Sequence, residues 1–173
     1  MYKAGQLVIY NGEGVCRVEA VGIPKLTGMD TKCDYYTLRS IGRNITIYIP
    51  VNTSAYMRPV MTKTQVHDFI RQMPQIEAFP MQGTGVWVQR DCYTAALQSH
   101  SCTELVRLLK TIYLKQNASE AANRHLGRMD EEYRKRAEEI LYTEFSVVLG
   151  IPVADIPDYL VHTIEANEPV PVK

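Results

Sequence analysis

The apolar residues of the first sixty positions fall into short runs, and turn-forming residues separate the runs. β-Branched and aromatic side chains are dense in these runs, as is typical of strands. The step Asn11-Gly12 between the first two runs is typical of a tight turn, since both residues tolerate a positive φ. The predicted strands are Leu7–Tyr10, Val15–Val21, Tyr35–Arg39, Ile45–Ile49 and Met57–Val60. Five short strands in this length predict a small SH3-like or Tudor-like five-stranded β-barrel.

Beyond residue 60 the apolar positions follow the spacing of helices. A first short helix is predicted with Thr64 as its N-cap, and Pro74 lies just past its end. Its apolar positions are Val66, Phe69, Ile70 and Met73. Further helices are predicted over Trp87–Gln98, from the capping pattern Ser101–Glu104 to Tyr113, from Asp130 to the terminating Gly150, and over Pro157–Ile164. The polar stretch Gln116–Met129 is predicted to be a loop or a frayed helix end.

The two periodicities predict an α+β protein of two domains. Residues 1–73 form the barrel with a short terminal helix, and residues 74–85 form a linker rich in proline and glycine. Residues 86–167 form a helical bundle. Residues 168–173 are predicted to be a disordered tail.

Composition adds an expectation about location and one about charge. The chain is 46% apolar and 22% charged, has no apolar run near the ~20 residues that span a bilayer, and lacks an apolar signal segment at its start, so a cytoplasmic protein is expected and no membrane contact. Residues 1–80 hold nine Lys and Arg against six Asp and Glu, a charge of +3, and residues 81–173 hold ten against thirteen, a charge of −3. Contact with nucleic acid therefore requires a local basic patch.

Catalytic and metal chemistry have little support in the sequence. The four cysteines, at positions 16, 33, 92 and 102, form no C-x-x-C pair, so reduced thiols are expected. Cys92, His100 and Cys102 lie close together but match no zinc spacing, and small core thiols with a surface imidazole are the favoured interpretation. The acidic groups Asp130–Glu132 and Glu138–Glu139 are interpreted as a solvated helix face. No phosphate-binding loop is present, and no cofactor is predicted.

Two features of the predicted barrel suggest binding. Tyrosines at positions 10, 35, 36, 48 and 56 allow an aromatic cage for a cationic peptide side chain, although ordinary packing is favoured. The segment Asn44–Ile49 alternates an apolar and a mixed face, and it would accept a partner's strand if it lay at the sheet edge. The sequence does not tell which strand is the edge.

Several motifs together resemble the CarD/CdnL family of bacterial transcription regulators, over about residues 2–165, and the later helical motifs are most similar to the Firmicutes version. In the first half these are Gly5–Tyr10, Gly12–Val15, Asp34–Leu38, Ile49–Val51 and Met57–Val60. In the second half they are Trp87, Leu105–Tyr113, Asp130–Glu131, Ala137–Phe145 and Leu149–Ile151.

This resemblance implies a non-enzymatic factor. In the family an edge strand of the barrel docks on the RNA polymerase β subunit, and the helical domain contacts promoter DNA at the upstream edge of the bubble. There a tryptophan enters the minor groove without reading sequence and stabilises the open complex, and Trp87 occupies the matching position. The implied polymerase-binding residues are Ile45, Thr46, Ile47, Tyr48 and Ile49. The implied DNA-binding residues are Trp87, Arg90, Arg107, Lys110, Arg124 and Arg128.

Other functions remain open at the level of sequence. A Tudor-like module that reads peptides without DNA is the main alternative. A small enzyme that uses Cys92 or His100 is another, and a polymerase-docking module of a repair-coupling translocase would need an ATPase motor that this chain lacks. An exposed edge strand would also permit self-association.

Overall fold

The computed structural model describes residues 1–26, 28–30, 32–81 and 83–167, so the predicted tail lies outside the described residues. The chain divides into two compact units, Met1–Val60 and Met61–Lys173. The first is a β-sheet and the second is helical, which confirms the α+β class and the change of periodicity near residue 60.

The first unit is a five-stranded antiparallel sheet. Its strands are β1 (Leu7–Tyr10), β2 (Gly14–Gly22), β3 (Tyr35–Ser40), β4 (Thr46–Pro50) and β5 (Met57–Pro59). All five correspond to predicted strands. Their order across the sheet is β4-β3-β2-β1-β5, so β4 and β5 are its two outer strands.

The turn between β1 and β2 has the backbone that its sequence predicts. Asn11–Glu13 forms a single 3₁₀ turn, with Asn11 at φ +40° and the following Gly14 at φ +81°. Asparagine and glycine tolerate positive φ better than other residues. The turn lets β1 and β2 pair from Tyr10 opposite Gly14 to Leu7 opposite Arg17.

One face of the sheet carries its hydrophobic core. The side chains of its central cluster come from alternate positions along the strands, as the period of two requires. They are Val8, Cys16, Val18, Tyr36, Leu38 and Ile49. Tyr10 and Ile47 pack against this cluster at its margin.

The second unit contains five helices. They are α1 (Lys63–Gln72), α2 (Val86–Gln98), α3 (Cys102–Ala121), α4 (Arg128–Leu149) and α5 (Ile156–Asn167). Ser101 caps α3 by accepting from the N–H of Glu104, and Gly150 ends α4 in the left-handed conformation, both as predicted. Among the described residues no single helix is long and apolar enough to cross a membrane; only the bent pair Arg128–Leu149 with Val153–Ala166 reaches the necessary length and composition together.

The helix α1 belongs to the helical unit, which differs from the predicted domain of residues 1–73. Val66 and Ile70 are fully buried in the helical core, and the Phe69 ring packs edge-on against Phe145 at 6.1 Å between centroids. Its apolar stripe therefore completes the helical core, and the boundary between the units follows Val60.

The N-cap of α1 is Thr62 and not Thr64. The Thr62 hydroxyl accepts from the N–H of Gln65 at 3.2 Å, and the Gln65 side chain accepts from the N–H of Thr62 at 2.8 Å. This reciprocal pair is a capping box, which the sequence Thr62-Lys63-Thr64-Gln65 matches. Two threonines lie near the helix start, and the glutamine three residues on identifies the cap.

The stretch Gln116–Met129, predicted to be a loop or a frayed helix end, is partly a helix end and partly a loop. The helix α3 continues to Ala121, and α4 begins at Arg128. Residues 116–121 lack an apolar stripe, but Gln, Ala and Glu have high helix propensity, and the Gln116 amide donates to the Glu120 carboxylate at 2.8 Å. Absence of periodicity here reflects an exposed helix end.

Candidate interaction surfaces

The strand β4 is a free edge of the sheet. It pairs with β3 on one side, and no strand of the described residues pairs with its other side. The sequence left open which strand is the edge, because that depends on the order in which five strands pair. Segment 45–49 thus lies where a partner strand has access.

The hydrogen-bond pattern identifies which backbone groups face the open edge. The N–H of Ser40 donates to the carbonyl of Ile45 at 2.9 Å, so the odd-numbered residues of β4 turn their backbone groups toward β3. Bonded and non-bonded pairs alternate in an antiparallel ladder. Thr46 and Tyr48 therefore direct two N–H and two C=O groups outward.

The opposite edge, β5, is nearly closed to a partner. Met57 and Pro59 point outward there by the same alternation, but Pro59 has no N–H. Their carbonyls are already used: Met57 accepts from the Tyr2 hydroxyl at 3.2 Å, and Pro59 accepts from the Arg58 guanidinium at 3.0 Å. This edge offers a partner little beyond the N–H of Met57.

Side chains along segment 45–49 divide between the two faces of the sheet. Ile49 is buried in the core and Ile47 is half-buried. Ile45 is 43% exposed and Tyr48 is 38% exposed. A strand that covered them would remove part of their apolar area from water, which is favourable. The edge thus combines unpaired backbone with exposed apolar side chains.

The tyrosines of the sheet unit do not share one environment. Tyr36 is buried in the core, where its hydroxyl accepts from the N–H of Tyr2. Tyr48 lies on β4, and Tyr10 lies on β1, with two strands between them. This separation favours ordinary packing over a common aromatic cage.

Trp87 is exposed at the start of α2. Its side chain is 75% exposed, and its neighbours Val86 and Val88 are exposed by 65% and 56%. The buried residues of α2 are Tyr93 and Ala96, which lie more than one helical turn beyond Trp87. Trp87 is therefore not a core anchor.

Trp87 lines an open groove of about 620 Å³ between α2 and α4. Its apolar lining residues are Val86, Leu97, Met129 and Tyr133. Three arginines also line it: Arg90 from α2, and Arg128 and Arg136 from α4. Glu132 lines the groove as well and pairs with Arg128 at 2.9 Å, and Arg136 pairs with Glu139 at 2.5 Å. Arg90 is exposed and forms no ion pair within the described residues. The groove unites an indole with basic groups.

A buried polar network fixes α2 against the helices that form the groove. Asp130 accepts from the Tyr93 hydroxyl at 3.0 Å and from the Lys115 ammonium at 2.5 Å. Burial, followed by the Asp130 charge and its hydrogen bond, raises the pKa of Tyr93 well above its ordinary value. Asp130 was predicted to lie on a solvated face, but it is buried. It starts α4 and bonds to side chains of α2 and α3, so it lies where the three helices meet.

Gln89 belongs to the same network. Its side-chain oxygen accepts from Lys115 at 2.9 Å, and its amide donates to the carbonyl of Thr84 at 3.0 Å. Thr84 immediately precedes Gly85, the N-cap of α2. Gln89 therefore fixes the chain that leads into Trp87.

Two of the predicted DNA-binding residues hold the segment 74–79 instead of lining the groove. The Lys110 ammonium donates to the carbonyls of Pro74 and Ile76 at 3.0 and 2.7 Å. Arg107 donates to the carbonyl of Glu77 at 3.3 Å, and its guanidinium lies 4.3 Å from the centre of the Phe79 ring. These contacts explain both side chains without nucleic acid.

Arg124 lies apart from the groove, on a separate polar surface. It follows α3 in the short loop, where its N–H donates to the carbonyl of Ser119 at 2.7 Å, and it lines a cavity of about 350 Å³ with Glu120, His125 and Arg134. Of the basic residues predicted from sequence, Arg90 and Arg128 are those that accompany Trp87. Arg136 was missed, because only the packing of α4 against α2 brings it to the groove.

Burial acts on two of the four thiols, those of Cys16 and Cys92. Burial raises the pKa of Cys16 to about 12, and burial also raises the pKa of Cys92. Within the described residues no group of three or more His, Cys, Asp or Glu side chains is arranged to hold a metal ion. A raised pKa keeps more of a thiol in its protonated form, which is the poorer nucleophile.

Comparison with known families bears on the sheet unit. Residues 2–61 match the CarD-like/TRCF RID domain. This family describes a non-enzymatic domain that binds the RNA polymerase β subunit. The match covers all five strands of the sheet unit and ends where the helical unit begins. No curated protein matches the chain.

Proposed function

We propose that this protein is a transcription regulator that docks on the RNA polymerase β subunit through β4 and stabilises the promoter open complex through Trp87. The observation that carries the proposal is the asymmetry of the sheet edges. The β4 edge presents four backbone groups and the β5 edge almost none. The match of residues 2–61 to a polymerase-binding domain family supports the RNA polymerase β subunit as the partner of this edge.

Docking at β4 is proposed to occur by strand addition. An added strand would bond the outward N–H and C=O groups of Thr46 and Tyr48 and would cover the exposed Ile45. Each net hydrogen bond contributes about 0.5–1.5 kcal/mol, and apolar burial contributes about 25 cal/mol per Å². Pro50 ends β4, so the strand added would be short.

The groove between α2 and α4 is proposed to contact promoter DNA. The exposed indole would insert at a base step that is already unstacked, while Arg90 and Arg128 contact phosphates without reading sequence. An insertion that favours the open state by about 1.4 kcal/mol changes the open-to-closed ratio tenfold. Few basic residues line the groove, so its own affinity for DNA is expected to be low. Docking on polymerase would hold the groove close to the promoter and so raise its effective concentration there.

The docking proposal is tested by Tyr48→Pro in the full chain. The N–H of Tyr48 faces outward, so proline removes one edge donor and no bond to β3, and edge strands tolerate proline at such positions. Binding to purified RNA polymerase core enzyme, measured by fluorescence anisotropy, is expected to weaken about tenfold or more.

Tyr48→Ala is the matched control for this experiment. It removes the side chain and keeps the backbone donor, so it is expected to bind polymerase severalfold more tightly than Tyr48→Pro, and its loss against the parent measures the side chain alone. Circular dichroism checks that both variants fold. If Tyr48→Pro folds and binds polymerase as the parent does, strand addition at β4 is wrong.

A further inference from the structure

We propose that the strand which docks on β4 carries a carboxylate on the outer face of the sheet, beside Thr46, and that Arg39 binds this carboxylate. The inference rests on the proposed function, since it presupposes that a strand is added to β4. It specifies what that strand must present. It also assigns a recognition role to a residue of β3, which is not itself at the edge.

A row of three side chains crosses the outer face toward the open edge. Arg17 on β2 lies directly opposite Arg39 on β3, and Arg39 lies directly opposite Thr46 on β4. Residues directly opposite each other share a face. The core face carries the alternate residues, Leu38 and Ile47.

Arg39 extends along this row to the edge strand. Its guanidinium donates to the Thr46 hydroxyl at 2.8 Å, so the charged head has crossed the spacing of about 4.8 Å between β3 and β4. Thr46 is short and neutral, so it adds no charge that balances the guanidinium. A residue of an added strand opposite Thr46 would lie one further spacing away, within reach of the remaining donors of Arg39.

The charge on this row is uncompensated. Neither Arg17 nor Arg39 forms an ion pair within the part of the chain that the structure describes, and two like charges directly opposite each other are unfavourable. An Asp or Glu on the added strand would relieve this repulsion, and a bidentate pair with the guanidinium is geometrically available.

The same row disfavours a second copy of this chain as the occupant. Two β4 strands paired edge to edge would each bring an Arg39 to the outer face near the junction, which adds like charges. A neutral strand would leave the row as it is. An acidic strand is the occupant that the charge distribution fits.

The test measures binding of the full chain to purified RNA polymerase core enzyme at several salt concentrations. Arg39→Gln is expected to weaken binding about fivefold and Arg39→Glu more than tenfold, with a flatter salt dependence for Arg39→Gln. Arg39→Lys, which keeps the charge, is expected to stay within about threefold. Arg58→Gln is the matched control, because Arg58 lies on the opposite edge strand of the same sheet.

Tyr48→Pro, measured alongside, separates the two proposals. If Tyr48→Pro loses binding while Arg39→Gln and Arg39→Glu bind as the parent does, strand addition stands and the carboxylate contact is wrong. If Tyr48→Pro also binds as the parent does, both are wrong. A dimer of this chain that Arg39→Glu strengthens in sedimentation, and that competes with polymerase, would make a second copy the occupant and overturn the inference.

Discussion

Trp87 lies at the start of α2, and its side chain is not part of the core of the helical unit. The core of the helical unit includes Tyr93 and Ala96 from α2 and is closed without the indole. Exposure of a large apolar side chain costs solubility, and a residue kept in that position is available for recognition. The single tryptophan of the chain is also a local fluorescent probe.

At the scale of the residue, Trp87→Ala is expected to separate stability from function. Because the indole is 75% exposed, the free energy of unfolding is expected to change by less than about 0.5 kcal/mol in urea titration. The lifetime of the promoter open complex with polymerase is expected to fall severalfold, since the proposed insertion is lost.

The neighbouring Val88 provides the control for Trp87. It is 56% exposed, but it does not line the groove. Val88→Ala is therefore expected to leave both stability and open-complex lifetime near those of the parent. An equal loss of lifetime in the two variants would point to a general effect at the start of α2 and would contradict a specific insertion of the indole.

At the scale of the element, α3 holds the segment that precedes α2. Lys110 and Arg107 bond three carbonyls of residues 74–77, and the Thr111 hydroxyl accepts from the N–H of Phe79 at 2.8 Å. Partial burial lowers the pKa of Lys110, because the charged form is less well solvated there. A segment predicted as a linker is therefore packed on a helix over its first half.

Removal of the Lys110 bonds is expected to loosen this segment. Lys110→Met keeps an unbranched side chain but leaves two carbonyls without their donor, so the free energy of unfolding is expected to fall by about 1–2 kcal/mol. Limited proteolysis near Glu77 is expected to become faster. Lys135→Met is the control, since Lys135 is an exposed residue of α4 that pairs with Glu131. Unchanged proteolysis in Lys110→Met would contradict a role of Lys110 in holding residues 74–79.

At the scale of the whole molecule, buried phenols connect stability to alkaline pH. Burial is the largest cause that raises the pKa of Tyr93 and of Tyr142, and nearby Tyr113 and Glu138 raise that of Tyr142 further. A raised pKa means that the folded state keeps a proton which the unfolded state releases above pH 10.0, the ordinary phenol value. The corresponding stability is complete below pH 10 and is lost as pH rises toward the folded pKa.

The free energy of unfolding is therefore expected to be flat near neutral pH and to fall above about pH 10, by about 1.4 kcal/mol per pH unit for each such phenol. Tyr142→Phe removes one titrating group, so its urea-derived stability is expected to fall less steeply between about pH 10 and 12. Equal slopes in the parent and in Tyr142→Phe would show that this phenol does not contribute. Tyr56→Phe, at an exposed tyrosine, is the control.

The elements were predictable because they depend on local patterns. All five strands and all five helices correspond to predicted segments, since periods of two and of 3.6 residues are written in consecutive side chains. The errors lie at element ends, where two threonines competed as the cap of α1 and where α3 continues without an apolar stripe. Helix propensity and capping decide such ends more than periodicity does.

The candidate sites were predictable only in part. Sequence and resemblance selected Trp87, Arg90 and the segment 45–49, and the structure places the first two on one groove and the segment at a sheet edge. Whether an indole is exposed depends on the other helices that complete the core. Arg136 and Arg39 were not predicted, because each reaches its site from a neighbouring element.

The sequence by itself determined the order of elements, the change from sheet to helices near residue 60, and a single tryptophan at the start of a helix. Only the tertiary structure decided that β4 is the open edge, that α1 belongs to the helical core, and that α2 and α4 bring three arginines to Trp87. Local patterns fix which residues share a face. Long-range pairing and packing fix which face stays free to bind a partner.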